Sequence, residues 1–126
     1  MTKAQGTRQI MPQEIEVWYI LPTIRRELAK AFIDLNLSRE TVANILGVSK
    51  ASISHYLRNK RAKEVEFDVE LVEKIKESAV RIAEDVELYM EEVQDLVKFI
   101  RQSRRLCQIH QEKSSSTYAT CTVCLE

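Results

Sequence analysis

The residues best suited to chemistry crowd the last stretch, "LCQIHQEKSSSTYATCTVCLE", which holds all three cysteines, Cys107, Cys121 and Cys124, and one of two histidines, His110. Cys107 and His110 are separated by two residues, Cys121 and Cys124 by two, and the pairs by ten. A two-residue gap lets both side chains of a pair reach one ion from a tight turn or helix end, and two pairs supply the four ligands of a closed tetrahedral site. Thiolate and imidazole favour zinc or an iron–sulfur centre over magnesium or calcium. The expectation is one such centre per chain. Histidine ligation is the less common form for a cluster, and the ten-residue loop is short for common zinc modules. Arg101, Arg104 and Arg105, just upstream, would balance the thiolate charge. The bland alternatives are reduced, unliganded cysteines or a Cys121–Cys124 disulfide. A thioredoxin-like dithiol would need a strand-to-helix setting, which the pattern lacks.

The second chemical feature is electrostatic. Residues 1–66 carry eleven Lys or Arg against seven Asp or Glu, whereas 67–126 carry eight against twelve. From Lys50 to Lys63 come Lys50, Arg58, Lys60, Arg61 and Lys63 with no acidic residue between them. Such focusing suits a polyanionic partner for the first half and excludes one for the second.

These features need elements to hold them. The chain has 126 residues, 44% of them hydrophobic and 30% charged, which is the composition of an ordinary domain with an appendage. Glycine and proline number two each, all before residue 48. An all-α fold is expected, with no backbone breaker after Gly47. The opening residues lack a secretory leader and no apolar run is long enough to span a bilayer, so a soluble, cytoplasmic protein with reduced thiols is expected.

Residues 1–11 read as a mobile arm. From Pro12, Ile15, Trp18, Leu21 and Ile24 recur at helical spacing. Pro22 suits the first turn of a new helix or a kink. Thr23 to Asn36 forms an amphipathic helix with Ile24, Leu28, Phe32 and Leu35 on one face. Ser38 caps "SRETVANILG", which Gly47 stops, and Ser49 caps "SKASISHYLRNK". Two short helices about a tight Gly47-Val48 turn make a helix-turn-helix. Val42, Ile45 and Leu46 with Ile53, Tyr56 and Leu57 form its core, and Ala43 allows close approach. Lys50, Ala51, Ser52, Ser54 and His55 are left at the N-terminal face of the second helix, where a recognition helix meets base edges. Ser49 and Ser52 suit phosphates at the helix end, and Arg58, Lys60 and Arg61 suit backbone phosphates beyond it. A helical hairpin that merely packs, with a solvated basic face, is the alternative.

From Phe67 to Leu106, Val72, Ile75, Ala79, Ile82, Val86, Tyr89, Val93, Leu96 and Ile100 alternate steps of three and four. That predicts one long helix with coiled-coil spacing and a homodimer through it. Ala83, Met90 and Val97 widen the stripe, which also fits packing back on the first domain. The expected organisation is an arm (1–11), a DNA-binding domain (12–66), a dimerising helix (67–106) and a metal-clipped tail (107–126).

The residues Leu21-Pro22 with Arg25, Leu37-Ser38, "ILGVS" and "ISHYLRNKR" resemble the N-terminal domain of a family of archaeal transcriptional regulators with a Cro/repressor-like helix-turn-helix. The likeness covers about 12–66 well and the tail, through "LCQIH", loosely. It implies a cytoplasmic regulator that binds double-stranded DNA; separately, a metal clip at the end of the expected dimer helix could make helix pairing respond to metal or redox state, or could only cap the helix. Two other classes compete. A thiol- or metal-dependent enzyme would need a second catalytic group beside the cluster, and no paired carboxylate, further histidine or phosphate loop is there. A structural interaction protein would use the long helix as its partner surface.

Overall fold

The computed structural model describes residues 11–58, 66–106 and 108–109, and among these every regular element is helical. The first helix runs from Pro12 with one irregularity: α1 (Pro12–Ile15) passes through a π-helical turn (Glu16–Ile20) into α2 (Leu21–Asp34), and the junction residues Glu16 and Leu21 keep right-handed helical angles. Pro22 supplies the reason. It has no N–H to donate and its ring crowds the preceding turn. The preceding turn widens instead, and the Leu21 N–H reaches back five residues to the Glu16 carbonyl. Pro22 thus sits in the first turn of α2, as expected, although the chain enters α2 without leaving helical angles. The buried Thr23 satisfies its hydroxyl by donating to the Tyr19 carbonyl at 2.7 Å.

Past Asp34 the chain turns through Asn36 in the left-handed region (φ 71°), and the Leu37 N–H closes on the Phe32 carbonyl at 3.1 Å. This is a Schellman ending with asparagine in glycine's usual place. Two short helices follow, α3 (Arg39–Leu46) and α4 (Lys50–Arg58).

The long helix expected over 67–106 is two helices, α5 (Val69–Glu84) and α6 (Tyr89–Gln102), joined by a 3₁₀ turn (Val86–Leu88). Asp85 makes the break. Its backbone is extended (φ −150°, ψ 98°), and its carboxylate accepts the Glu87 N–H at 3.1 Å, capping the next turn. The helix also stops earlier than expected. α6 ends at Gln102, and Arg104 takes a left-handed conformation (φ 67°) three residues before Cys107.

The apolar stripe is correspondingly folded inward. Ile75, Ala79 and Ile82 from α5 and Val93, Leu96 and Ile100 from α6 are buried in the same core as Ile15, Ile24, Leu28, Phe32, Val42 and Ile53. Burying a side chain such as Ile82 contributes about 2–3 kcal/mol. The stripe expected to pair between chains is thus covered within the chain, as in the packing-back alternative, and of its members Val86, at the elbow, and the flanking Met90 are largely exposed. α2 is the central element: it packs on α3, α4 and α5, and α5 packs on α6.

Polar clasps hold the α5–α6 hairpin at both ends. Near the elbow, Arg81 meets Glu92 through Nε (2.9 Å) and Nη2 (3.0 Å), while the buried Ser78 donates to the same carboxylate at 2.8 Å. At the open end, Arg105 grips Asp68 through Nε and Nη2 (2.9 and 2.8 Å) and reaches Glu70 at 2.9 Å. Arg105 and Lys74 both approach the Phe99 ring, their charged ends 5.0 and 4.6 Å from its centroid. A further ion pair, Arg101 with Glu16, ties α6 to the π-helical turn.

Candidate nucleic-acid interface

The unit around Gly47 is built from caps. Ser38 Oγ accepts the Thr41 N–H at 3.1 Å and starts α3. At the other end, the Gly47 and Val48 N–H groups both return to the Ala43 carbonyl, at 2.8 and 3.0 Å. Gly47 has φ 71°, a conformation that L side chains rarely adopt, yet a Cβ there would meet nothing within 4 Å. The glycine answers a backbone need rather than a lack of space. Ser49 then caps α4, its Oγ accepting the Ser52 N–H at 3.1 Å and lying 3.1 Å from Ser52 Oγ.

The apolar face of α4 fixes what the other face shows. Ile53 is fully buried, and Tyr56 and Leu57 pack partly buried against the core. Ser49, Lys50, Ala51, His55 and Arg58 are exposed, while Ser52 and Ser54 are half-buried. These seven sequence-selected positions therefore share one short helix and its cap, with the cationic Lys50 in the first turn and Arg58 at the end. Ser49's hydroxyl is engaged in capping. Lys60 and Arg61, selected for phosphate contact, lie outside the described residues, as do Cys107, His110, Cys121 and Cys124. Among the described residues no group of three or more His, Cys, Asp or Glu is arranged to hold a metal ion. Nor is any helix among them long and apolar enough to cross a membrane.

One residue escaped the sequence reading. Arg39 Nη1 donates to Ser54 Oγ at 3.1 Å, crossing from the first turn of α3 to the outer face of α4. A signal was present: a cation in a helix's first turn opposes the helix dipole, so an arginine directly after the Ser38 cap needs another reason to be there.

Chemically, the face offers hydroxyl donors and acceptors, an ammonium, a guanidinium and an imidazole on a rigid helix end, without a carboxylate on α4. Such a face can bind a polyanion and read hydrogen-bonding edges. Comparison with known proteins finds no matching family, no matching curated protein and no matching solved structure.

Proposed function

We propose that this protein is a sequence-specific DNA-binding transcriptional regulator of the cytoplasm, with α3, the Gly47 turn and α4 acting as a helix-turn-helix. One observation carries the reading: α4 buries Ile53 and leaves Lys50, Ala51, Ser54 and His55 together on its outer N-terminal face, across a left-handed glycine turn from α3. A helix so held can enter the major groove with its first two turns against base edges. Lys50 and Ser54 are assigned to bases and Arg58 to phosphate, with Lys60 and Arg61 continuing the phosphate contacts. Arg39 is assigned to hold Ser54 in position.

The tail reading is part of the proposal. Cys107, His110, Cys121 and Cys124 bind one zinc ion or one iron–sulfur cluster per chain, and the ligand set itself supports it. A homodimer remains part of it as well. Its support is now the two-half-site geometry usual for such readers, because the apolar stripe first assigned to pairing is buried within the chain.

The experiment is selection of bound duplexes from a random pool by the purified full chain. Enrichment of one short motif supports the reading, and a pool that stays random after repeated rounds contradicts it.

A further inference from the structure

The π-helical turn has a geometric consequence on the α6 side. Glu16 and Leu21 are five residues apart, which in a regular α-helix would set them about 140° apart around the axis. A turn closed by the Leu21 N–H to Glu16 carbonyl bond brings them toward the same side. Both line a cavity of about 300 Å³ whose other wall is α6, through Gln94, Asp95, Val97, Lys98 and Arg101. This volume is at the small end of the ligand-pocket range, the size of a small metabolite.

The lining carries two carboxylates and two cations around an apolar pair, Leu21 and the buried Val97. Glu16 and Arg101 are engaged with each other, their side chains 16% and 33% exposed. That contact uses one guanidinium nitrogen of Arg101, so further N–H donors remain. Lys98 and Asp95 form no ion pair or hydrogen bond with each other or with any other described residue, although Asp95 also stabilises the Arg81 charge at longer range. A ligand of one charge would meet a like charge on either side. A zwitterion meets neither problem: its carboxylate takes Lys98 and the spare donors of Arg101, and its ammonium takes Asp95. The Leu21–Val97 floor then accepts an aliphatic side chain.

We infer that the cavity between the Glu16–Leu21 turn and α6 is a binding site for a small aliphatic α-amino acid. The inference goes beyond the DNA-binding reading and does not rest on it. The test is titration of the full chain, without DNA, with L-valine, followed by amide NMR. Isobutylamine and isovalerate serve as probes carrying only the ammonium or only the carboxylate. Saturable shifts confined to the turn and α6 are expected with L-valine alone. Lys98→Ala and Asp95→Asn, both at exposed positions, are each expected to weaken binding about tenfold or more. Three results would overturn the inference: no saturation, meaning a structural groove only; isovalerate binding as well as valine, meaning a simple anion site; or valine binding indifferent to both substitutions, meaning a site elsewhere. DNA binding is read separately, so its failure leaves this result standing.

Discussion

Arg39 Nη1 and Ser54 Oγ, fifteen residues apart in sequence, meet at 3.1 Å across the two helices around Gly47. Ser54 accepts this bond and keeps its own O–H to donate. Arg39 thereby fixes a hydroxyl on the face assigned to base reading. Arg39→Ala and Ser54→Ala are each expected to weaken binding to the selected duplex by about 1–3 kcal/mol. The double variant should lose no more than the worse single one, because both remove the same contact. Additive losses in the cycle would show that Arg39 acts on its own. Arg39 is exposed and Ser54 half-buried, so stability should change by no more than about 1 kcal/mol.

The hairpin makes a sharp distinction between two valines of the same stripe. Val93 is 7% exposed and Val86 is 53% exposed. Val93→Asp puts an unpaired charge into the core and is expected to cost about 3 kcal/mol or more. Val86→Asp, in the elbow, should change stability by less than about 0.5 kcal/mol. Urea unfolding measures both. A single pairing helix would instead make the two substitutions equally disruptive to oligomer mass and leave the folded monomer intact.

Much of this architecture was legible because its signals are local. Ser38, Gly47 and Ser49 each announce a helix end through a hydrogen bond within a few residues. The amphipathic α2 is legible for the same reason. The Asp85 break was not. Alternating steps of three and four describe a coiled-coil seam and also two amphipathic helices folded on each other, and the pattern runs unbroken through the elbow. Aspartate serves equally as surface charge and cap, so only the tertiary fold decides. The clasp of Ser78 and Arg81 on Glu92 joins residues that sequence periodicity does not pair. The Arg39–Ser54 contact is non-local in the same way. The four tail ligands, Cys107, His110, Cys121 and Cys124, fall outside the described residues, and their reading rests on spacing.

The two clasps predict acid sensitivity. The hydrogen bond from Arg105 holds the Asp68 carboxyl below its ordinary pKa. Glu92 is lowered chiefly by Arg81, with Ser78 adding and desolvation opposing. A carboxyl depressed in the folded chain stabilises it above the unfolded pKa of about 4, and that contribution is lost as pH falls through the folded value. The urea midpoint should therefore fall as pH drops below about 4 to 5 and these carboxylates take up protons. The Asp68→Asn, Glu92→Gln double variant should start lower and fall less. Parallel curves for the two proteins would remove the clasps from the account.

The tail predicts a metal stoichiometry. Anaerobically purified protein should contain about one zinc ion, or one iron–sulfur cluster with visible absorption, per chain. Cys121→Ser should abolish or loosen it, because the chain has no fourth cysteine to take over. Elemental analysis and an absorption spectrum read the result. Metal-free wild-type protein would leave these cysteines as unliganded thiols.

The central claim is that the outer N-terminal face of α4 reads DNA, and anisotropy titrations of the selected duplex against a scrambled one, over a salt series, test it most directly. The account predicts a negative salt slope on both duplexes and preference for the selected one. Lys50→Ala should erase much of that preference, while Arg58→Ala should weaken both duplexes alike and flatten the slope by about one unit. Equal loss on both duplexes from Lys50→Ala, or no binding to either at low salt, would contradict it.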